Sequence, residues 1–117
     1  MAGMSETHDN LPPDLRPLLH ALEAALRDAD FWEAQPPSPQ ALASSMPFMV
    51  DTLRIEQWLQ WVLLPRLHAL LDARAPLPAS CSVHPLAEHE WAQRHPGPAS
   101  QAALDALLAI DRHLSQQ

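Results

Sequence analysis

The prolines limit the folds open to this chain more than any other feature, because proline lacks a backbone N–H and interrupts both helices and central strands. The chain has thirteen prolines and two glycines. Most of the prolines lie outside the apolar segments, at residues 12–13, 36–39, 76–78 and 96–98. These clusters predict stiff loops, and regular secondary structure is expected between them.

The apolar residues between the proline clusters recur with the spacing of an α-helix. In the first segment, leucines follow one another at steps of three and four, at positions 15, 18, 19, 22 and 26. No segment shows the alternation of a strand. We therefore predict an all-α fold, with helices near residues 14–30, 51–73, 85–94 and 99–115 and a short turn near 39–44. These helices are expected to pack as an all-α bundle in a single domain over residues 1–117, with residues 1–12 as a flexible tail.

The second of these segments carries apolar residues around most of its circumference, which predicts a central helix packed on several sides. Asp51 and Thr52 offer side-chain oxygens that could cap its first turn. Pro65 removes the hydrogen bond to the carbonyl of Trp61, so the helix is expected to kink there.

Charge and composition exclude several classes of function. The chain has fourteen acidic residues, seven arginines and no lysine, and its formal net charge of −7 would repel a nucleic-acid backbone. Two glycines leave no glycine-rich loop for a nucleotide's phosphates. Charged and polar residues interrupt the longest apolar segment, so no membrane span is expected. The single cysteine, Cys81, cannot form an internal disulfide, and residues 1–14 lack an apolar signal segment, which together predict a cytoplasmic protein.

Few residues have the spacing of a catalytic or metal site. His84 and Glu88 lie four residues apart with His89 and His95 nearby, but solvated side chains on a short helix explain this pattern better than a metal site does. Cys81 has no neighbouring basic cluster that would activate a thiol. The sequence therefore predicts no catalytic group, no metal and no cofactor.

Two charged residues interrupt apolar stripes. Asp111 falls on the apolar face of the last predicted helix, with Leu104, Leu107 and Leu108, and Arg66 has a similar position on the central helix. Buried charges need partners, so Arg66 and Asp111 could form a buried ion pair, whereas at fraying helix ends both side chains could instead reach water. Trp58 and Trp61 could stack on a ring, although their spacing among leucines is that of core residues.

A motif in the middle of the chain resembles the YqcC-like family of small bacterial proteins. It runs from Pro47-Phe48 through Asp51-Thr52-Leu53, continues as W-L-Q-W-V at 58–62 and P-R at 65–66, and is followed by A-P-L-P at 75–78. The likeness extends over roughly residues 15–114. The residues that match the family pattern at chemically notable positions are Asp51, Thr52, Gln60, Pro65, Arg66 and Asp111. His84, His89 and Cys81 do not match it.

The resemblance implies a four-helix, up-and-down type bundle, in agreement with the four helices that the periodicity predicts. Family members have no assigned function, are often encoded beside a tRNA pseudouridine synthase and sometimes carry its name. A pseudouridine synthase would itself need a far larger catalytic domain with a basic RNA-binding face.

Three hypotheses of function follow. The first is a non-catalytic accessory or adaptor protein, linked to tRNA pseudouridine modification through a basic protein partner such as a tRNA pseudouridine synthase. Its expected contact residues are Phe48, Asp51, Thr52, Pro76 and Leu77, because proline-stiffened loops lose little entropy on docking. Phe48 and Leu77 could equally cap the ends of the core. The second hypothesis is a small-ligand carrier with a pocket lined by Trp58, Trp61 and the Phe48 loop, and the third is an enzyme of unknown reaction. The oligomeric state stays open.

Overall fold

The structure is a computed structural model that describes residues 15–79 and 82–116. The predicted tail over residues 1–12, the start of the first predicted helix at Asp14 and the residue Cys81 lie outside the described residues. No described helix is long and apolar enough to cross a membrane.

The described chain is helical and contains no strand, which confirms the all-α prediction. Its helices are α1 (Leu15–Asp28), α2 (Pro39–Leu42), α3 (Ile55–Trp58), α4 (Leu64–Ala73), α5 (His84–Arg94) and α6 (Gln101–Ser115). A π turn over Leu59–Leu63 joins α3 to α4, and we refer to the continuous stretch 55–73 as the central helix. The up-and-down order of a four-helix bundle stays a prediction.

The core forms where the leucine stripe of α1 packs along α6. In α1 the buried residues follow the predicted spacing, and they are Leu15, Leu19, Leu22, Ala25 and Leu26. The central helix contacts α1 through α4 and contacts α5 through α3, while α5 also packs on α6. Trp91 of α5 is fully buried and is the largest such side chain in the described chain. The short helix predicted near residues 85–94 therefore contributes to the core.

The central helix begins later than predicted. Its N-cap is Arg54, whose backbone N–H donates to the side-chain oxygen of Gln57 at 2.8 Å. Asp51 and Thr52 do not cap it, because their side chains bond to the preceding segment. Thr52 Oγ1 donates to the carbonyl of Ala41 at 2.7 Å, and Asp51 accepts from Ser44 Oγ.

Proline changes the central helix through a widened turn. The N–H of Leu64 donates to the carbonyl of Leu59, five residues back, and Pro65 follows at once in the first turn of α4. A π turn of this kind adds a residue to the turn and rotates the side chains that follow. The irregularity thus lies where Pro65 predicts it, and a bend of the axis at Pro65 stays a prediction.

Residues with positive φ lie at the ends of α1 and α4 and in the turn that leads into α6. Asp30 follows α1 with φ 64°, and Phe31 N–H then closes the helix end by donating to the carbonyl of Leu26 at 2.9 Å. Arg74 ends α4 with φ 54°. Gly97 has φ 120° just before the 3₁₀ turn Pro98–Ser100, a conformation that favours glycine.

Candidate functional site

Residues 46–52, here named the Phe48 loop, form a tight and internally bonded turn. Pro47 opens a 3₁₀ turn in which Phe48 and Met49 have φ of 55° and 52°. Two successive large residues in the left-handed region are uncommon, and each costs on the order of 1–3 kcal/mol. The surrounding hydrogen bonds hold this conformation, since Thr52 and Leu53 both donate their N–H groups to the carbonyl of Met49.

Two of the residues predicted to contact a partner are docked on the core. The Phe48 ring meets Trp58 edge to face, with 5.0 Å between centroids. Leu77 is also half-buried and packs against the core, while Pro76 beside it is exposed. Phe48 and Leu77 therefore act at least as caps of the core, which was one of the two alternatives open from the sequence.

The same loop exposes two large apolar residues that the sequence analysis did not single out. Met46 and Val50 are 49% and 44% exposed, and they flank the docked Phe48 and Met49. Asp51 and Thr52, which were predicted contact residues, are exposed beside them. The exposure of part of this loop could have been suggested by the run M-P-F-M-V, because a five-residue apolar turn cannot bury every member.

A cavity of about 210 Å³ lies beside the loop, and we name it the Phe48 pocket. Its apolar walls come from Phe48, Trp58, Val62, Leu63, Leu67 and Pro78. Arg66 completes the lining and is exposed. Trp61 does not line the pocket. Its indole Nε1 lies 3.4 Å from Glu33 Oε1 instead.

The structure does not bring Arg66 and Asp111 together. The Asp111 Oδ2 atom accepts the backbone N–H of His84 at 2.8 Å, so this carboxylate caps the first turn of α5 from a neighbouring helix. Its Oδ1 atom is buried without a hydrogen-bond partner in the described chain. The predicted ion pair is wrong because a free helix N-terminus, which also attracts negative charge, meets Asp111 first.

A buried carboxylate that the sequence analysis missed lies at the start of the central helix. The side chain of Glu56 is 5% exposed. It accepts two hydrogen bonds from Arg94, at 3.0 and 2.9 Å, and one from Trp91 Nε1 at 3.1 Å. Arg54 and His95 approach its Oε2 atom at 3.5 Å. We name these residues the Glu56 cluster.

Hydrogen bonding fixes the charge of this carboxylate. Burial by itself raises the pKa of the Glu56 carboxyl, but the bonds from Arg94, from its own backbone and from Trp91 outweigh burial and hold the pKa at about 2. The bond to Glu56 in turn raises the pKa of Arg94. Glu56 is therefore ionised at neutral pH and fully engaged, which suits a structural role better than proton transfer.

A second polar network fastens the connector after α1 to the central helix. The buried side chain of Gln60 accepts the N–H of Glu33 at 2.8 Å and donates to the carbonyl of Glu33 at 2.7 Å. The Glu33 carboxylate meets Arg54 at 3.0 Å and Gln57 at 3.2 Å. Gln60 was recognised as a family-pattern residue, and the structure gives it this positioning role.

The three histidines that the sequence analysis weighed as a metal site, His84, His89 and His95, do not converge. His84 contributes its backbone to the Asp111 cap, His89 is exposed beside Gln93, and His95 packs on Phe31 with 4.7 Å between ring centroids. Within residues 15–79 and 82–116 no group of three or more His, Cys, Asp or Glu residues is placed to hold a metal ion.

Known proteins similar to this chain cover most of its length. A family model described as "tRNA pseudouridine synthase C" matches residues 14–113. The chain is 44% identical over 109 residues to "Uncharacterized protein YqcC" of Escherichia coli (strain K12), covering 90% of this chain and 96% of that protein. The solution NMR structure of E. coli YqcC superposes with a TM-score of 0.73 at 40% identity, covering 86% of this chain and 85% of that one.

One further relative is much longer than this chain. The protein named "tRNA pseudouridine synthase C" in Pectobacterium carotovorum is 43% identical over 84 residues, which are 72% of this chain but 22% of that protein. The similarity is thus confined to about a fifth of the longer polypeptide.

Proposed function

Because the chain belongs to the YqcC-like family, we propose that it is a non-catalytic accessory protein that acts by binding another protein. The observation that carries this proposal is the exposure of Met46 and Val50 on a loop that is otherwise anchored to the core. An exposed apolar pair on a rigid support is typical of a contact surface, because little conformational entropy is lost when it docks.

The chemistry of the polar groups supports a binding role. The one carboxylate with a strongly lowered pKa among the described residues, Glu56, has its oxygens bonded to Arg94 and Trp91. A group held in this way is not available as a general base. Binding through the Phe48 loop needs no reactive group.

We infer that the partner is a basic protein, namely a tRNA pseudouridine synthase of the same host. A net charge of −7 favours encounter with a basic surface. The occurrence of a similar segment inside a longer protein that carries this name supports the link, because units joined in one polypeptide in one organism often cooperate as separate chains in another. Asp51, beside the exposed pair, supplies a negative charge at the contact.

Co-purification tests the proposal. The tagged full chain, expressed in its own host, is expected to retain the synthase at low salt and to release it as salt rises, because screening weakens attraction between exposed charges. The double variant Met46→Ser, Val50→Ser is expected to lose the partner while keeping the helical circular dichroism of the native chain. A matched control, Ala21→Ser with Ala102→Ser on exposed positions of α1 and α6, should retain it.

Two results would contradict the proposal. One is the absence of the synthase from the purified material at every salt concentration, and the other is equal retention by the Met46/Val50 variant and the control. In the second case the contact would lie elsewhere, and the loop would serve only to close the core.

A further inference from the structure

Several unusual features of this molecule meet at the Phe48 pocket. Phe48, with a positive φ, forms one wall, and Val62 and Leu63, both in the π turn, form another. Strained backbone and π turns occur preferentially at functional sites, where the surrounding structure holds them in place. Here, Phe48, Val62 and Leu63 line an open cavity.

We propose that the Phe48 pocket binds a small apolar monocarboxylate, whose ring or branched chain fills the cavity and whose carboxylate pairs with Arg66. This goes beyond the partner binding proposed above, because it concerns the isolated chain and a different set of side chains.

Arg66 identifies the charge of the ligand. Its guanidinium is permanently charged and presents donors in a fork that matches the two oxygens of a carboxylate. The described residues provide no ion pair for Arg66, although several of the other arginines of this acidic chain have one. A single cation neutralises one negative charge, whereas a phosphate dianion would leave a second charge unpaired beside the apolar walls, which is costly.

The size and lining of the cavity identify the rest of the ligand. A volume of about 210 Å³ is below the roughly 300–1,000 Å³ of pockets for drug-sized molecules, so one ring or a short branched chain is the group that fits. Trp58, Leu63 and Leu67 are buried and line this space with apolar groups. Transfer of an apolar group from water to these walls supplies affinity, and Arg66 supplies orientation.

The backbone around the pocket favours a free small molecule over a peptide. Peptides bound in extended form gain affinity from main-chain hydrogen bonds. In the Phe48 loop, the N–H groups of Met49, Val50, Thr52 and Leu53 already donate to carbonyls of the loop. The central helix, on the other side of the cavity, uses its own N–H groups in its turns.

Titration of the full chain with matched probes tests this site. In methyl NMR spectra, 3-phenylpropanoate is expected to shift the signals of Val62, Leu63 and Leu67 with saturation. The uncharged 3-phenylpropanamide should bind at least about ten-fold more weakly, the loss expected for one charge-assisted contact. In Arg66→Gln the acid should bind as weakly as the amide, while Arg112→Gln, an exposed arginine on α6, should bind the acid as the native chain does.

The proposal is overturned if neither probe gives saturable shifts, if acid and amide bind equally to the native chain, or if Arg66→Gln still prefers the acid. A short peptide ending in a phenylalanine with a free carboxylate forms the last arm. If it binds more tightly than 3-phenylpropanoate, the pocket recognises chain termini and the small-molecule assignment is wrong.

Discussion

The Glu56 cluster and the Phe48 pocket lie along the same central helix, but the charged group is buried and ion-paired in the first and exposed without an ion pair in the described chain in the second. In the Glu56 cluster, a carboxylate with 5% of its side chain exposed is held by Arg94 and Trp91 at 3.1 Å or less. At the Phe48 pocket, Arg66 is exposed beside apolar walls and has no ion pair in the described chain. The Glu56 carboxylate is therefore already bonded to groups of the protein, whereas the Arg66 guanidinium can still pair with a ligand.

Whether a charged group already has partners in the protein distinguishes a structural site from a candidate binding site better than its burial or its pKa does. A strongly shifted pKa often marks a functional group, but structural ion pairs shift pKa values as well. Here the shifted group, Glu56, joins α3 to α5 and closes the start of the central helix. The surroundings of Arg66, by contrast, combine an open cavity with the exposed edge of the Phe48 loop.

The largest expected effect is the loss of stability in Glu56→Gln. The amide keeps the size of the side chain but leaves Arg94 and Trp91 bonded to a neutral group. Because about a third of the Arg94 side chain reaches water (32% exposed), the loss should fall below that of a fully buried ion pair, at about 2–3 kcal/mol. Urea unfolding followed by tryptophan fluorescence measures the loss. The control Glu23→Gln, which removes an exposed pair with Arg27, should cost only about 0.3–0.5 kcal/mol. Equal losses in the two variants would show that the Glu56 cluster is no stronger than a surface pair.

Acid should weaken the same cluster in a defined range of pH. The folded-state pKa of Glu56, about 2, lies below its ordinary value of 4.5, so its contribution is complete above pH 4.5 and is lost as the pH falls towards 2. The shift corresponds to a contribution on the order of 3 kcal/mol. A titration of the Glu56 side-chain carbonyl by NMR should show a midpoint near pH 2, and a midpoint near 4.5 would contradict the assigned hydrogen bonds.

The sequence predicted the helices well because their signals are local. Leucines at steps of three and four mark α1, and prolines and Gly97 mark the breaks between segments, so neither inference needs knowledge of the tertiary structure. The start of the central helix was misplaced for the same reason. Asp51 and Thr52 have suitable oxygens, but these oxygens bond to Ser44 and Ala41, and that competition depends on a loop conformation with positive φ.

The candidate sites were less predictable because they depend on pairs that are distant in the sequence. Glu56 looks like a solvated residue among other polar ones until Arg94, 38 positions away, is brought against it. Asp111 was correctly placed on a buried face, but the sequence suggested Arg66 as its partner when the actual partner is a backbone N–H. Periodicity can show that a charged residue lies on a buried face. It cannot identify a backbone N–H as the partner, because almost every residue has this group.

A smaller effect tests the corrected assignment of Asp111. Asp111→Ala removes the cap of α5 and should cost about 1–2 kcal/mol, as other helix caps do. Arg66→Gln should change the free energy of unfolding by less than about 0.5 kcal/mol, because Arg66 is exposed. In the double variant the two losses should add. A coupling above about 0.5 kcal/mol would mean that Arg66 and Asp111 interact after all.

The smallest expected effect concerns Met46 and Val50, and it decides whether the outer edge of the Phe48 loop belongs to the core. If these residues are held exposed for a partner, Met46→Ser with Val50→Ser should change the free energy of unfolding of the isolated chain by no more than about 0.5 kcal/mol. Phe48→Ala, which removes the ring packed on Trp58, should cost clearly more in the same urea experiment. A loss in the Met46/Val50 variant as large as that of Phe48→Ala would mean that the whole loop is a core cap, because side chains that merely face water contribute little apolar burial to folding.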